Sequence, residues 1–258
     1  MTRFNLNADM AEGFGDWQMG NDDGLLNIVN TANIACGFHA GDYHIMGKVM
    51  TKALATNVSV GAHPGFYDLH GFGRRQLNLS EAEVERLIAY QLGATIAIGQ
   101  LSGIAVTHIK PHGAINNMAC ADRALADAIV RGTKAVNKDI ILLAPVLSQL
   151  YAAGEAAGLP VAGEVFADRA YMPDGQLVPR SRPDAMIHDK KESLAQCVRM
   201  FCEHKIIAVD GTELSVQAES VCVHGDGPQA VEIAEFIKEG LEAEGLQPVC
   251  LPDMLSST

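Results

Sequence analysis

Short apolar runs alternate with longer segments of helical period along almost the whole chain, the pattern of successive βαβ units feeding a parallel sheet. Seven runs fit strands: 4–8, 28–36, 57–62, 105–110, 139–144, 161–166 and 220–224. Helical segments fall between them at 43–56, 81–101, 121–136, 145–157, 190–204 and 228–245. Ser80 with Glu83 three residues on forms a capping box for the second of these, and Pro228 suits the first turn of the last. Two stretches break the alternation: 171–183, which carries a PDG turn, and 206–217, where IIAV and LSVQ flank DGTE as an expected hairpin. An open doubly wound sheet and a closed barrel share this alternation.

No repeat, low-complexity tract or flexible linker marks a boundary, so the expectation is one domain over 1–258. A β/α barrel needs ~250 residues, and the chain has 258. With 48% hydrophobic and 19% charged residues it can build a large core and is not a disordered chain. Lys and Arg number 19 against 31 Asp and Glu, a formal charge of −12, and that field disfavours phosphate backbones and anionic membranes. Neither nucleic acid nor membrane is expected as a partner. The N-terminus lacks a signal-like apolar region, and no stretch reaches the ~20 apolar residues of a bilayer span. The six cysteines stand singly, with no C-x-x-C pair, as buried thiols of a reducing compartment would, which places the protein in the cytoplasm.

Polar residues crowd the C-terminal ends of the apolar runs. Asp9 and Glu12 follow the first; His39, Asp42 and His44 the second; His63, Pro64 and Asp68 the third. The fourth supplies His108, Lys110, His112 and Asn116, the sixth Glu164, Asp168 and Arg169, and the last His224 and Asp226. In a parallel barrel all these ends converge on one face. A single histidine at a strand end is more often a hydrogen-bonded packing residue than a catalyst, and burying ionised groups one by one costs several kcal/mol each. Grouped around one wet pocket they make sense, and this favours a barrel over an open sheet.

Metal and nucleotide motifs are weaker. His39-x-x-Asp42-x-His44, with His63 near in space, could offer imidazole and carboxylate ligands to zinc or another divalent ion, but nothing in the spacing selects a metal. Gly41 to Lys48 has five residues between its glycines where a P-loop has four, and Val49 stands where Ser or Thr belongs. Gly225-x-Gly227-x-x-Ala230 follows a strand and opens a helix. It reads poorly as a dinucleotide fingerprint and better as a helix N-terminus able to hold an anion.

The strings NLNADMAEGFG (5–15), TANIACGFHAGD (31–42), VGAHPGF (60–66), HIKPHGA (108–114), EVFADRAY (164–171) and VHGDGP (223–228) together resemble the LamB/YcsF family, from about residue 3 to 253. The resemblance implies an α/β fold, a seven-stranded parallel β/α (TIM-like) barrel of the glycoside hydrolase/deacetylase type. It further implies the A component of an ATP-dependent 5-oxoprolinase, which opens the lactam of 5-oxoproline to L-glutamate, with ATP as cosubstrate and 5-oxoprolinase subunits B and C as partners. Such a site needs a base for water, an acid for the ring nitrogen and cations for phosphoryl oxygens. Asp9, Glu12, His39, His63, Lys110, His112 and Asp168 are the candidate catalytic residues, and Asp42, Asn116, Glu164, Arg169, His224 and Asp226 the candidate substrate-binding ones. Lys110 and Arg169 are expected on the substrate carboxylate or the phosphoryl group. Whether a divalent metal is bound stays open. Two readings compete: a metal-dependent deacetylase or amidohydrolase that does not use ATP, and a non-catalytic barrel that binds a small ligand.

Overall fold

The computed structural model describes residues 2–223 and 229–256. Among the described residues the strands run β1 Arg3–Met10, β2 Thr31–Ala35, β3 Ser59–His63, β4 Val106–Ile109, β5 Ile141–Pro145, β6 Val161–Phe166, β7 Lys205–Ile207, β8 Glu213–Ser215, β9 Ser220–Val223 and β10 Gln247–Pro248. The helices are α1 Asp22–Leu25, α2 Tyr43–Ala55, α3 Glu81–Leu101, α4 Gly113–Ala121, α5 Arg123–Val136, α6 Gln149–Ala156, α7 Lys190–Val198, α8 Ala230–Ala243 and α9 Leu251–Leu255, with a π turn over Arg199–Glu203 extending α7. Strands β1 to β6 pair in sequence order, all parallel, and β9 pairs with both β6 and β1. The sheet is therefore a closed seven-stranded barrel, and all seven sequence-predicted strands are its staves. β10 adds two residues beside the start of β1.

Closure turns β1 inside out relative to an ordinary surface strand. Phe4, Leu6, Ala8 and Met10 lie on one side of the pleat and Asn5, Asn7 and Asp9 on the other. The polar set meets polar partners on the two neighbouring strands, β2 and β9. Asn5 Nδ2 donates to Thr31 Oγ1 at 2.8 Å, Ser220 Oγ to Asn5 Oδ1 at 2.6 Å, and Asn33 Nδ2 to Asn7 Oδ1 at 2.8 Å. Asn5, Asn7, Thr31, Asn33 and Ser220 are all fully buried. The apolar set belongs to the hydrophobic core, where Phe4 meets Phe201 edge to face at 6.1 Å.

Several boundaries shift for local reasons. The second strand begins at Thr31 rather than 28 because Val29 N–H still bonds back to Leu25 C=O. The segment expected as one helix over 121–136 is preceded by a further helix, α4; Asp122 separates the two and its carboxylate caps α5 by accepting from Ala124 and Leu125 N–H. α6 starts at Gln149 because Pro145 ends β5 and Ser148 Oγ accepts from Tyr151 N–H. The Ser80–Glu83 capping box is present on α3, and β7 and β8 form the expected antiparallel hairpin. Pro228 lies outside the described residues.

Between β3 and β4 the register shifts at Val60/Gly61. There the His108 ring lies over Gly61 on its way to Asn33 on β2, and a Cβ on Gly61 would run into the ring. Gly61→Ala is expected to destabilise the protein by roughly 1–3 kcal/mol through overpacking, read as a lower urea midpoint at unchanged m-value. No loss would show that the His108 ring swings aside freely.

Candidate functional site

β1 delivers Asp9 to the C-terminal mouth, where the chain turns sharply. Ala11 holds a left-handed φ of 60°, a conformation that costs a non-glycine residue roughly 1–3 kcal/mol. The turn points Glu12 toward the histidines. β2 runs into the turn that carries His39, β3 ends on His63, and β4 leads into Lys110 and His112, the last being the residue before α4.

Lys110 is the hub. Its Nζ lies 2.9 Å from Asp9 Oδ1, 2.8 Å from Glu164 Oε1, 3.2 Å from Asn7 Oδ1 and 3.1 Å from Cys222 Sγ. Burial works against its charge, but Asp9, Cys222 and Glu164 outweigh it and hold the ammonium well above the ordinary lysine range. Burial likewise pushes Asp9 up, yet His63 and Lys110 hold its carboxyl well below the usual carboxylate range. Asn33 Nδ2 adds a hydrogen bond to Asp9 Oδ1 at 2.9 Å. Glu164, beneath Lys110, is raised by burial, with Lys110 opposing.

Beside this hub stand three rings. His63 Nε2 is 3.3 Å from Asp9 Oδ2 and 2.9 Å from His112 Nδ1. His112 stacks on His39, with ring centroids 3.7 Å apart and planes 6° from parallel. Glu12 Oε1 lies 3.4 Å from His39 Nε2 and 3.9 Å from His112 Nδ1. Burial, reinforced by the His63 charge, brings His112 down to about 3. Burial with His112 and His63 puts His39 well below the histidine range. One ligand atom from each of Glu12, His39, His63 and His112 lies within 4.8 Å of the others, so this buried cluster could hold a metal ion.

The cluster opens into a cavity of about 560 Å³, a size suited to a small molecule. Asp9, Glu12, His63, Lys110 and His112 form part of its wall, and Arg74, Arg169 and Arg180 bring positive charge to it. Asn116 on α4 also lines it. Arg169 Nη2 donates to Val178 C=O at 2.7 Å and its Nε to Ala185 C=O at 3.4 Å, so its guanidinium holds the 171–186 excursion as well as facing the cavity. Burial and the Arg180 charge bring it down to about 10.

Other candidates lie elsewhere. Asp42 is the N-cap of α2, where its carboxylate accepts from His44, Ile45 and Gly15 N–H, and His44 is exposed on that helix. Neither joins His39 and His63, so the expected His39–Asp42–His44 ligand set does not form; Glu12 and His112 take those places. Asp42 also puts a negative charge at the N-terminus where a phosphate would dock, and Gly41 is explained by packing, since a Cβ there would meet Ala11 O at 2.5 Å. Asp68 pairs with Arg75 and accepts from Gly71 N–H. Asp168 is half-buried and outside the cavity lining, with its backbone carbonyl taken by Ile187 N–H at 2.8 Å. His224, Asp226 and the Gly225-x-Gly227 anion site lie outside the described residues.

Sequence reasoning passed over Asn7, Asn33, Cys222 and Phe72. The first two lie inside strands, where the alternations Asn5, Asn7, Asp9 and Thr31, Asn33 are short enough to be passed over in runs read as plain strands. Phe72 acts through its backbone: its carbonyl accepts from His112 Nε2 at 2.8 Å, and no side-chain pattern announces that.

Comparison with known proteins agrees with this architecture. The 5-oxoprolinase A subunit of Rhodopseudomonas palustris (strain BisB18) is 50% identical over 247 residues, covering 95% of this chain and 97% of the relative. Its namesake from Azoarcus sp. (strain BH72) is 50% identical over 254 residues, covering 98% and 99%. The crystal structure of the lactam utilization protein from Thermus thermophilus superposes with a TM-score of 0.91 at 40% identity, over 97% of this chain and all of that one. The catalytic domain of a peptidoglycan N-acetylglucosamine deacetylase from Eubacterium rectale ATCC 33656, at 12% identity, shares the barrel alone, with a TM-score of 0.54 over 100% of this chain and 91% of that one. The LamB/YcsF family model matches residues 4–256, and with relatives half identical along nearly their whole length this chain belongs to that family.

Proposed function

We propose that the chain is the ring-opening component of an ATP-dependent 5-oxoprolinase, acting in the cytoplasm as one barrel domain over 1–258 with partner subunits B and C. The relatives' names supply the substrate class. The observation that carries the reading is Asp9, kept ionised by Lys110 and His63 at the wall of a cavity that Arg74 and Arg180 make cationic.

A five-membered lactam is a poor electrophile. Transfer of the ATP γ-phosphoryl group to the lactam oxygen activates the ring carbon. Water adds there, the carbon–nitrogen bond breaks as the nitrogen takes a proton, and a second water displaces phosphate from the acyl phosphate to leave glutamate. Asp9 accepts the proton of the attacking water and returns it to the ring nitrogen as the ring opens. Lys110 is engaged on several sides, so it sets the charge of Asp9 rather than gripping a phosphoryl group. The cavity-wall arginines provide that cationic surface. Nucleotide handling falls wholly or partly to the partner subunits, which agrees with the carboxylate-capped turn at Gly41–Asp42.

Glutamate and ADP release, measured for the chain alone and then with subunits B and C, tests this. Turnover is expected only in the complex. Asp9→Asn should lower it by at least ~100-fold with circular dichroism unchanged. Full ATP-coupled turnover by the lone chain would overturn the division of labour. Glutamate formation without nucleotide would favour the second reading, a metal-dependent amidohydrolase, which the Glu12–histidine cluster makes specific. Calorimetric binding of 5-oxoproline with no turnover in the complex would point to a binding barrel.

A further inference from the structure

His63 and His112 hold a proton inventory that hydrogen bonding within the protein does not close. His63 Nδ1 lies 2.7 Å from the Lys110 carbonyl oxygen, and His112 Nε2 lies 2.8 Å from that of Phe72. A carbonyl oxygen only accepts, so each of those nitrogens carries a hydrogen. A neutral imidazole has one N–H, and its second nitrogen then bears a lone pair. The two lone-pair nitrogens, His63 Nε2 and His112 Nδ1, face each other at 2.9 Å. Two acceptors at that distance require a positive charge shared between them, either one extra proton or a cation.

The surroundings favour a cation. His39 is fully buried, and its Nδ1 has no hydrogen-bond partner among the described residues. Its ring lies flat on His112, an arrangement that two imidazolium ions would not tolerate. One ring nitrogen of His39 and one carboxylate oxygen of Glu12 extend the His63–His112 pair into a four-atom set within 4.8 Å, drawn from the ends of β1, β2, β3 and the β4–α4 turn. Metal-bound histidines habitually donate their far N–H to a backbone carbonyl or carboxylate, which fixes the tautomer that leaves the near nitrogen free to ligate. Both His63 and His112 are fixed in this way. Three imidazoles and one carboxylate suit zinc, with bonds of about 2.0–2.2 Å, and suit magnesium or calcium poorly, since those ions seek oxygen ligands.

We propose that Glu12, His39, His63 and His112 bind one divalent ion of the zinc class at the cavity wall next to Asp9. The site goes beyond the lactam reading and does not depend on it, because binding is measured without substrate or partners. The test uses the full chain, stripped with a chelator and titrated with zinc by calorimetry, with bound metal counted by mass spectrometry. One equivalent per chain is expected, and cobalt in its place should give visible d–d absorption of a nitrogen-rich low-coordinate site. His39→Gln and His112→Gln should each weaken zinc by more than the ~100-fold that losing an outer partner alone can cost, while His44→Gln on the exposed face of α2 leaves it unchanged. Glu12→Gln, which keeps size and shape, serves if a histidine variant fails to fold. Sub-stoichiometric zinc in the folded wild type, or unchanged affinity in the folded variants, would overturn the site. So would ¹⁵N imidazole resonances that show a proton shared by His63 and His112 with zinc in excess.

Discussion

Replacing Lys110 with methionine is expected to remove about 3–5 kcal/mol of folding stability, which for a chain of this size lowers Tm by roughly 6–20 °C. Methionine fills the space but carries no charge. Glu164, whose side chain is fully buried, and Asp9, 19% exposed, would then lose the cation that lies 2.8 and 2.9 Å from them. Uncompensated buried carboxylates either stay charged at high cost or take up protons, and both outcomes weaken the native state. Urea unfolding at pH 7 reads the loss. Adding Glu164→Gln should return part of it, because the amide needs no counter-charge, and the non-additivity of the double-mutant cycle measures the pair directly. A loss under ~1 kcal/mol, the worth of an exposed ion pair, would show that water screens this hub.

The second large effect is acid lability. His108 is fully buried; its Nε2 donates to Asn33 Oδ1 at 2.9 Å, because the Asn33 amide nitrogen is already committed to Asn7 and Asp9. Burial, followed by the Lys110 charge, brings its pKa down to about 3. The unfolded chain takes a proton on this ring below about pH 6.5 and the native state does not. The unfolded state therefore binds more protons across that window, and stability falls as pH drops from about 6.5 to about 3. At ~1.4 kcal/mol per pH unit the loss is on the order of 5 kcal/mol. Asp9, held low by its neighbours, adds to the loss below the ordinary carboxylate range, while Glu164, raised by burial, opposes it. His108→Gln should take its own share, ~1.4 kcal/mol per pH unit, off the slope between about pH 6.5 and about 3, while His39 and His112, also held low by burial, keep theirs; urea midpoints at half-unit steps follow it. An unchanged slope would mean that other groups carry the acid response.

How far the site was legible depends on what each residue does. Asp9, His63, Lys110 and His112 were visible because strand-end position and residue type both point to a barrel mouth. Glu12 and His39 were visible as candidates, but their partnership with His112 was not, since it joins loops after different strands. Asp42 misled because an aspartate before a helix looks the same whether it caps N–H groups or binds a ligand, and here it caps. Asp168 sits next to Arg169 in sequence, yet only Arg169 lines the cavity. Asn7 and Asn33 were hidden in runs read as plain strands. α4 escaped notice because it has no side-chain N-cap and follows directly from a strand-end motif.

Element type and order were set locally: period-two and helical patterning, the Ser80–Glu83 box and the DGTE hairpin act within a few residues, so they can be read from the chain alone. Family membership, too, was written in six ordered strings. Closure was not local. Only the pairing of β9 with β1, placing Asn5 opposite Ser220 and Ala8 opposite Val223, turns Asn5, Asn7 and Asp9 inward and brings Lys110 within bonding distance of Cys222, 112 positions away. A side chain's neighbours across a barrel follow from register and curvature, which sum over all seven strands and are recorded in none of them singly.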